Sequence, residues 1–146
     1  MSIVPLGSGY TVLYYLKKFN YYNKSYPFSS VYINIEDIIG ILKNDFNFYE
    51  KQSKKINNSL LRDENLVKLS KSILLKIDNF RKLQNPIFIR IELNNLNNSK
   101  IKLYNYLEEI FKKKYNKFKI VVISKIKISG KNIKCIIIND NNLNNI

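Results

Sequence analysis

At 146 residues with 45% hydrophobic positions, the chain is one domain by size, with enough apolar mass to bury a proper core. Its formal net charge of +14 favours anionic partners, and no run approaches the roughly 18–20 apolar residues that a membrane span needs. One cysteine and no histidine exclude an internal disulfide, the usual zinc ligand sets and histidine-based catalysis.

Ser2-Ile3-Val4-Pro5-Leu6 reads as a short strand, and Pro5, which cannot donate to a ladder, belongs at an edge or a strand end. Gly7-Ser8-Gly9 makes a turn, after which Val12, Leu13, Leu16 and Phe19 recur at helical spacing. The stretch 2–16 is therefore a strand and a helix start rather than a signal peptide, since it lacks a basic leader and a small-x-small cleavage site. Residues 21–30 form a loop stiffened by Pro27, which biases Tyr26 towards extended backbone.

Asn34 is the expected N-cap of a second helix whose apolar face is Ile35, Ile38, Ile39, Leu42 and Phe46. Lys51 to Asn58 is polar and is expected to be structureless. Asp63 and Glu64 then open a long helix on the positive end of its dipole, with the stripe Leu66, Ser70, Ile73, Leu74, Ile77 and Phe80, and Pro86 stops it. Ile87 to Leu93 is the clearest strand, and Asn94 to Ser99 a loop. Leu103, Leu107, Ile110 and Phe111 define a further helix, in which Glu108 and Glu109 precede Lys112 and Lys113 at the favourable spacing for ion pairs. Ile120 to Ile123 is a buried strand that emerges into water along Lys125-Ile126-Lys127-Ile128. Ser129 to Asn132 turns the chain into a last strand, Ile133 to Ile138. The pattern implies a single α/β domain over 1–138, a layered sandwich with a mostly parallel sheet of about four strands and a C-terminal antiparallel hairpin, followed by a disordered tail over 139–146.

Leu6-Gly7-Ser8-Gly9-Tyr10 followed by Ser25-Tyr26-Pro27-Phe28 resembles the opening of a family of papain-like cysteine peptidases, which reads Leu-Gly, two residues, Cys, then Ser-Tyr-Pro-Phe-Asp-Trp. Weaker likenesses lie in Leu42-Lys43-Asn44-Asp45-Phe46 and in Phe80-Arg81-Lys82-Leu83 through Pro86-Ile87-Phe88-Ile89-Arg90. The resemblance implies a cysteine nucleophile at position 10, but Tyr10 stands there, with Ser29 for the family's aspartate and Ser30 for its tryptophan. Thiol catalysis needs a thiolate with a base beside it, and this chain has no histidine to serve as one. Cys135, inside the last strand, is expected to be inert core sulfur. The implied function is that of a catalytically inactive relative acting as a binding or interaction domain, without cofactor or metal.

In an open α/β sheet, ligands gather outside the carboxyl ends of the strands. Ser8, Tyr10, Ser29 and Glu92 are therefore the candidate lining of one pocket, although Glu92 at a strand end could equally face solvent and the glycine turn could be a turn and nothing more. The same four residues would serve an enzyme of unrecognised type, the first alternative. A second is a basic nucleic-acid module built on Lys112, Lys113, Lys114, Lys117 and Lys119, interleaved with Tyr115 and Phe118. Against it, the 22 Asn, 23 Ile and 22 Lys, with no Ala, mark A/T-biased coding, and Lys outnumbers Arg 22 to 3, whereas evolved phosphate and base recognition favours arginine's bidentate fork. Sequence-blind attraction of polyanions is expected, as are a protein or small-ligand partner and a reducing, cytoplasmic setting.

Overall fold

The computed structural model describes residues 2–22, 24–58, 64–92 and 97–139. In chain order they form β1 (Ile3–Pro5), α1 (Tyr10–Lys18), α2 (Ile35–Lys43), α3 (Asn47–Asn58), α4 (Glu64–Arg81), β2 (Ile87–Glu92), α5 (Asn98–Lys114), β3 (Lys119–Ser124) and β4 (Ile133–Ile137). The strands make one sheet in the order β1-β2-β3-β4, and every pairing is parallel. The α/β class and the four strands follow the sequence pattern. Pro5 sits on an edge strand, where its missing donor costs no ladder bond.

Alternation along the strands sorts residues to two faces. Val4, Phe88, Ile120 and Val122 belong to the main core, with Ile35, Ile38 and Ile39 of α2, Ile77 and Phe80 of α4, and Leu107 and Phe111 of α5. Six phenylalanines thread this core: Phe28, Phe46, Phe80, Phe88, Phe111 and Phe118 touch in succession, closest where Phe88 stacks on Phe111 with centroids 4.2 Å apart. The alternate positions Ile87, Ile89, Ile91, Val121 and Ile123 are only half-buried. Val12, Leu13 and Leu16 of α1 are buried outside the main cluster, and α1 packs against β2.

Several expectations are corrected. No C-terminal hairpin forms: β4 runs parallel to β3, with Val122 beside Cys135. The crossover needs no helix because Ile128 buries into the core and the return turn is anchored from α5, where the Glu108 carboxylate accepts from Asn132 N–H. A Cβ at Gly130 would lie 2.7 Å from Ile133 Cδ1 and 3.0 Å from the Glu108 carboxylate, so a larger residue would have to displace the ends of those two side chains. Glu108 is thus buried rather than paired with Lys112, which reaches Glu109 instead at 3.1 Å. β3 also ends at Ser124, so Lys125 to Ile128 is not its exposed continuation.

Lys51 to Asn58 is helical rather than structureless, because α3 finds a packing partner in α4 and buries Ser53. Phe46 is core but not part of α2: Asp45 and Phe46 turn the chain at φ 48° and 60°, and Arg81 clamps the turn by donating to the Asp45 carbonyl at 2.6 Å. The second helix begins at its expected cap, Asn34 Oδ1 accepting from Asp37 N–H at 2.8 Å. Asn97 caps α5 in the same way, accepting from Lys100 N–H at 2.9 Å. Asp63 at the start of the long helix, the Leu66 side chain, loop positions 94–96 and tail positions 140–146 lie outside the described residues.

Candidate functional site

The turn after β1 is where sequence and fold meet most tightly. Gly7 adopts φ +72°, and a Cβ there would lie 3.0 Å from the Ile33 carbonyl and 3.1 Å from an Arg90 guanidinium nitrogen, so only glycine fits. Gly9 adopts φ +73° and precedes α1. Segment 26–33 lies against this turn: Gly7 N–H donates to the Phe28 carbonyl at 3.0 Å, Gly9 N–H to Val31 at 2.9 Å, and Ile33 N–H back to Gly7 at 3.0 Å.

Ser8 Oγ accepts from Ile91 N–H at 2.8 Å, which ties the turn to the carboxyl end of β2. Glu92, the next residue, is buried rather than facing solvent. One of its oxygens accepts from Arg90 Nε at 2.8 Å and from the Tyr104 hydroxyl at 2.7 Å. Arg90 is itself only 1% exposed and donates further to the carbonyls of Leu6 at 2.7 Å and Ile33 at 2.8 Å. A buried ion pair is tolerated when additional hydrogen bonds satisfy both ions, and here the guanidinium also crosslinks β1, the 26–33 segment and β2. Burial, above all, drives the Tyr104 phenol well above the ordinary tyrosine range, and its hydrogen bond to Glu92 adds to this.

Ser29 is buried, its oxygen accepting from Tyr26 N–H at 3.0 Å within a tight turn. Tyr10 opens α1 with its ring more than half exposed. The structure thus brings Ser8 and Glu92 to one strand end, buries Ser29 within its own loop, and leaves Tyr10 at the surface. Cavities of about 410 Å³ beside α2 and about 290 Å³ between segment 27–33 and α4 lie elsewhere, and neither is lined by any of the four. Arg90 was missed as a site residue, although its signal is in the sequence: in a strand whose Phe88 faces the core, Arg90 and Glu92 must share that face.

The lysine-rich segment differs from its sequence reading. Tyr115 and Phe118 are core residues, so no ring there is free to stack on a base. Lys114 lies 3.8 Å from Asp45 and over the Phe80 ring, and burial pushes its ammonium pKa below the ordinary lysine value. Lys113, Lys117 and Lys119 are exposed. Cys135 is half-buried on edge strand β4 rather than deep in the core, its sulfur 3.5 Å from Ser124 Oγ and 3.6 Å from the Ile126 carbonyl.

No protein-family model, curated protein or solved structure matches this chain. Among the described residues, no group of three or more Cys, Asp and Glu side chains is placed to hold a metal ion. No described helix is long and apolar enough to cross a membrane.

Proposed function

We propose that the chain is a catalytically inactive relative of the papain-like cysteine peptidases that serves as a binding domain. The observation that carries this reading is Tyr10: it is the first residue of α1, exposed, at the position where the family's opening pattern has its cysteine. A thiol at a helix start gains nucleophilicity from the dipole, whereas a phenol there is no equivalent acyl acceptor, and the chain has no histidine to act as base. Cys135 is no replacement, since β4 and β1 occupy opposite edges of the sheet. The hydroxyl of Ser8, the hydroxyl of Ser29 and the carboxylate of Glu92 are each engaged in bonds that hold the fold, which supports binding over an enzyme of unrecognised type. The burial of Tyr115 and Phe118 removes support from a nucleic-acid module at residues 112–119.

The test is an assay against fluorogenic peptides and activated esters, run beside thiol alkylation of Tyr10→Cys in a Cys135→Ser background. The wild type should turn over nothing. The thiol at position 10 should alkylate faster at neutral pH than a free cysteine, because the helix start stabilises the thiolate. Wild-type turnover that Tyr10→Phe abolishes would overturn the reading.

A further inference from the structure

The aromatic rings missing from the lysine-rich segment are found elsewhere. Tyr10, Tyr14, Phe19, Tyr21, Tyr22 and Tyr32 are each between 41% and 65% exposed, and all six come from α1 and the chain that follows it. Helical spacing puts Tyr10, Tyr14 and Lys17 on one face of α1, and contacts bring Tyr22 and Tyr32 near it. The Lys17 ammonium lies 5.7 Å from the Tyr10 ring centre and 5.0 Å from that of Tyr22. Tyr32 is bridged to Ser8, and its Cβ lies 4.0 Å from where a Cβ on Gly9 would stand, which sets it beside the start of α1. Tyr14 stands edge-on to Tyr15 at 5.2 Å, and Tyr15 stacks on Phe19 at 6.4 Å.

We propose that this surface binds single-stranded nucleic acid by stacking bases on the exposed rings, without sequence preference. The inference rests on the reading of the chain as a binding domain and names its partner class. Two features select that partner. The first is charge: residues 10–32, which carry the six rings, contain Lys17, Lys18 and Lys24 and no Asp or Glu, so their net charge is positive. The second is the kind of apolar surface on offer. Val12, Leu13 and Leu16 point into the protein, so the outer face of α1 presents ring faces and ammonium groups rather than aliphatic chains. A lipid surface would call for a helix whose apolar stripe is left free to enter the acyl region, and that of α1 is spent on the protein. A single strand offers unpaired base faces and phosphates together, the combination that aromatic platforms beside lysines accept. Duplex hides the base faces. Lys17 lies beside two of the rings, which puts a cation within reach of the phosphates of any strand stacked there.

The test is fluorescence anisotropy of the full chain with a labelled oligothymidylate at several salt concentrations, with thermal melts run on each variant to show that it folds. Tyr14→Ser combined with Tyr22→Ser should weaken binding by about tenfold or more. Lys113→Gln with Lys117→Gln should weaken it by no more than the loss of two screened charges requires. Equal binding by the tyrosine variant and the wild type would overturn the inference, and so would equal binding of a duplex of the same length. A third overturning result is tyrosine-dependent binding to phosphatidylcholine–phosphatidylserine vesicles in place of the oligomer. These outcomes are separable from peptide turnover, which would instead remove the binding-domain reading beneath it.

Discussion

The aromatic residues divide between two regions that obey opposite rules. In the core, Phe28, Phe46, Phe80, Phe88, Phe111 and Phe118 are buried ring against ring under the helices on one side of the sheet. Around α1, Tyr10, Tyr14, Phe19, Tyr21 and Tyr22 are exposed, with a lysine beside the rings of Tyr10, Phe19 and Tyr22. Both regions are rich in phenylalanine or tyrosine, so aromatic content cannot separate them. Spacing does so in part: Val12, Leu13 and Leu16 claim the inward stripe of α1, which forces Tyr10 and Tyr14 outward. The lesson is that a basic and aromatic stretch must be asked where its rings point. Residues 112–119 have the composition of a stacking surface and bury Tyr115 and Phe118, while residues 10–22 keep five of their six rings exposed, Tyr15 being half-buried.

The sharpest way to break this contrast is to truncate one ring in each region. Phe111→Ala removes a fully buried ring that stacks on Phe88 and touches Tyr115 and Phe118, and should cost about 3–5 kcal/mol by denaturant unfolding. A loss under about 1 kcal/mol would mean that the six-ring core is not a cooperative unit.

Alkaline titration sharpens the comparison within one residue type. Burial raises the Tyr104 and Tyr115 phenols well above the ordinary value. Their folded-state pKa values exceed the unfolded one, so their contribution to stability is intact below about pH 10 and lost as pH climbs towards the raised values. Phenolate absorbance from these two should therefore appear last, together with the loss of circular dichroism. Ionisation of all 11 tyrosines in a protein that stays folded would contradict their burial.

The smallest effect belongs to the surface. Tyr14→Ser should shift stability by no more than about 0.5 kcal/mol, since its half-exposed ring meets water on one side. A cost near that of Phe111→Ala would show that the α1 rings hold the fold and are not spare for a ligand.

Much of the site region could be read in the chain, but not its bonding. The alternation of β2 puts Phe88, Arg90 and Glu92 on one face. Nothing local says that Arg90 reaches carbonyls 84 and 57 residues away, at Leu6 and Ile33. Glu92 could read as a solvent-facing strand end for the same reason: its partner Tyr104 sits on another element, α5. Ser29 and Tyr10 come from the same motif-bearing stretch but differ: helical spacing turns Tyr10 outward, whereas Ser29 lies in a loop whose inward side only packing decides.

Sequence alone determined the elements whose signal is periodic or capped: the apolar strands, the Asn34 cap, the glycine turn that Gly7's positive φ demands, and the inward stripe Val12, Leu13 and Leu16 of α1, though not Phe19, which shares that spacing but is exposed at the helix's C-cap. Tertiary structure decided whatever depends on a distant partner. Parallel rather than antiparallel pairing of β4 is one case, because a short connection permits either and the choice falls to Ile128 finding the core and Glu108 finding Asn132. The helicity of 51–58 is another, since a polar segment becomes helical when a neighbour such as α4 buries one of its faces. The physical reason is common to both: local propensity acts over a turn or two of chain, whereas burial is settled only when segments far apart in sequence meet.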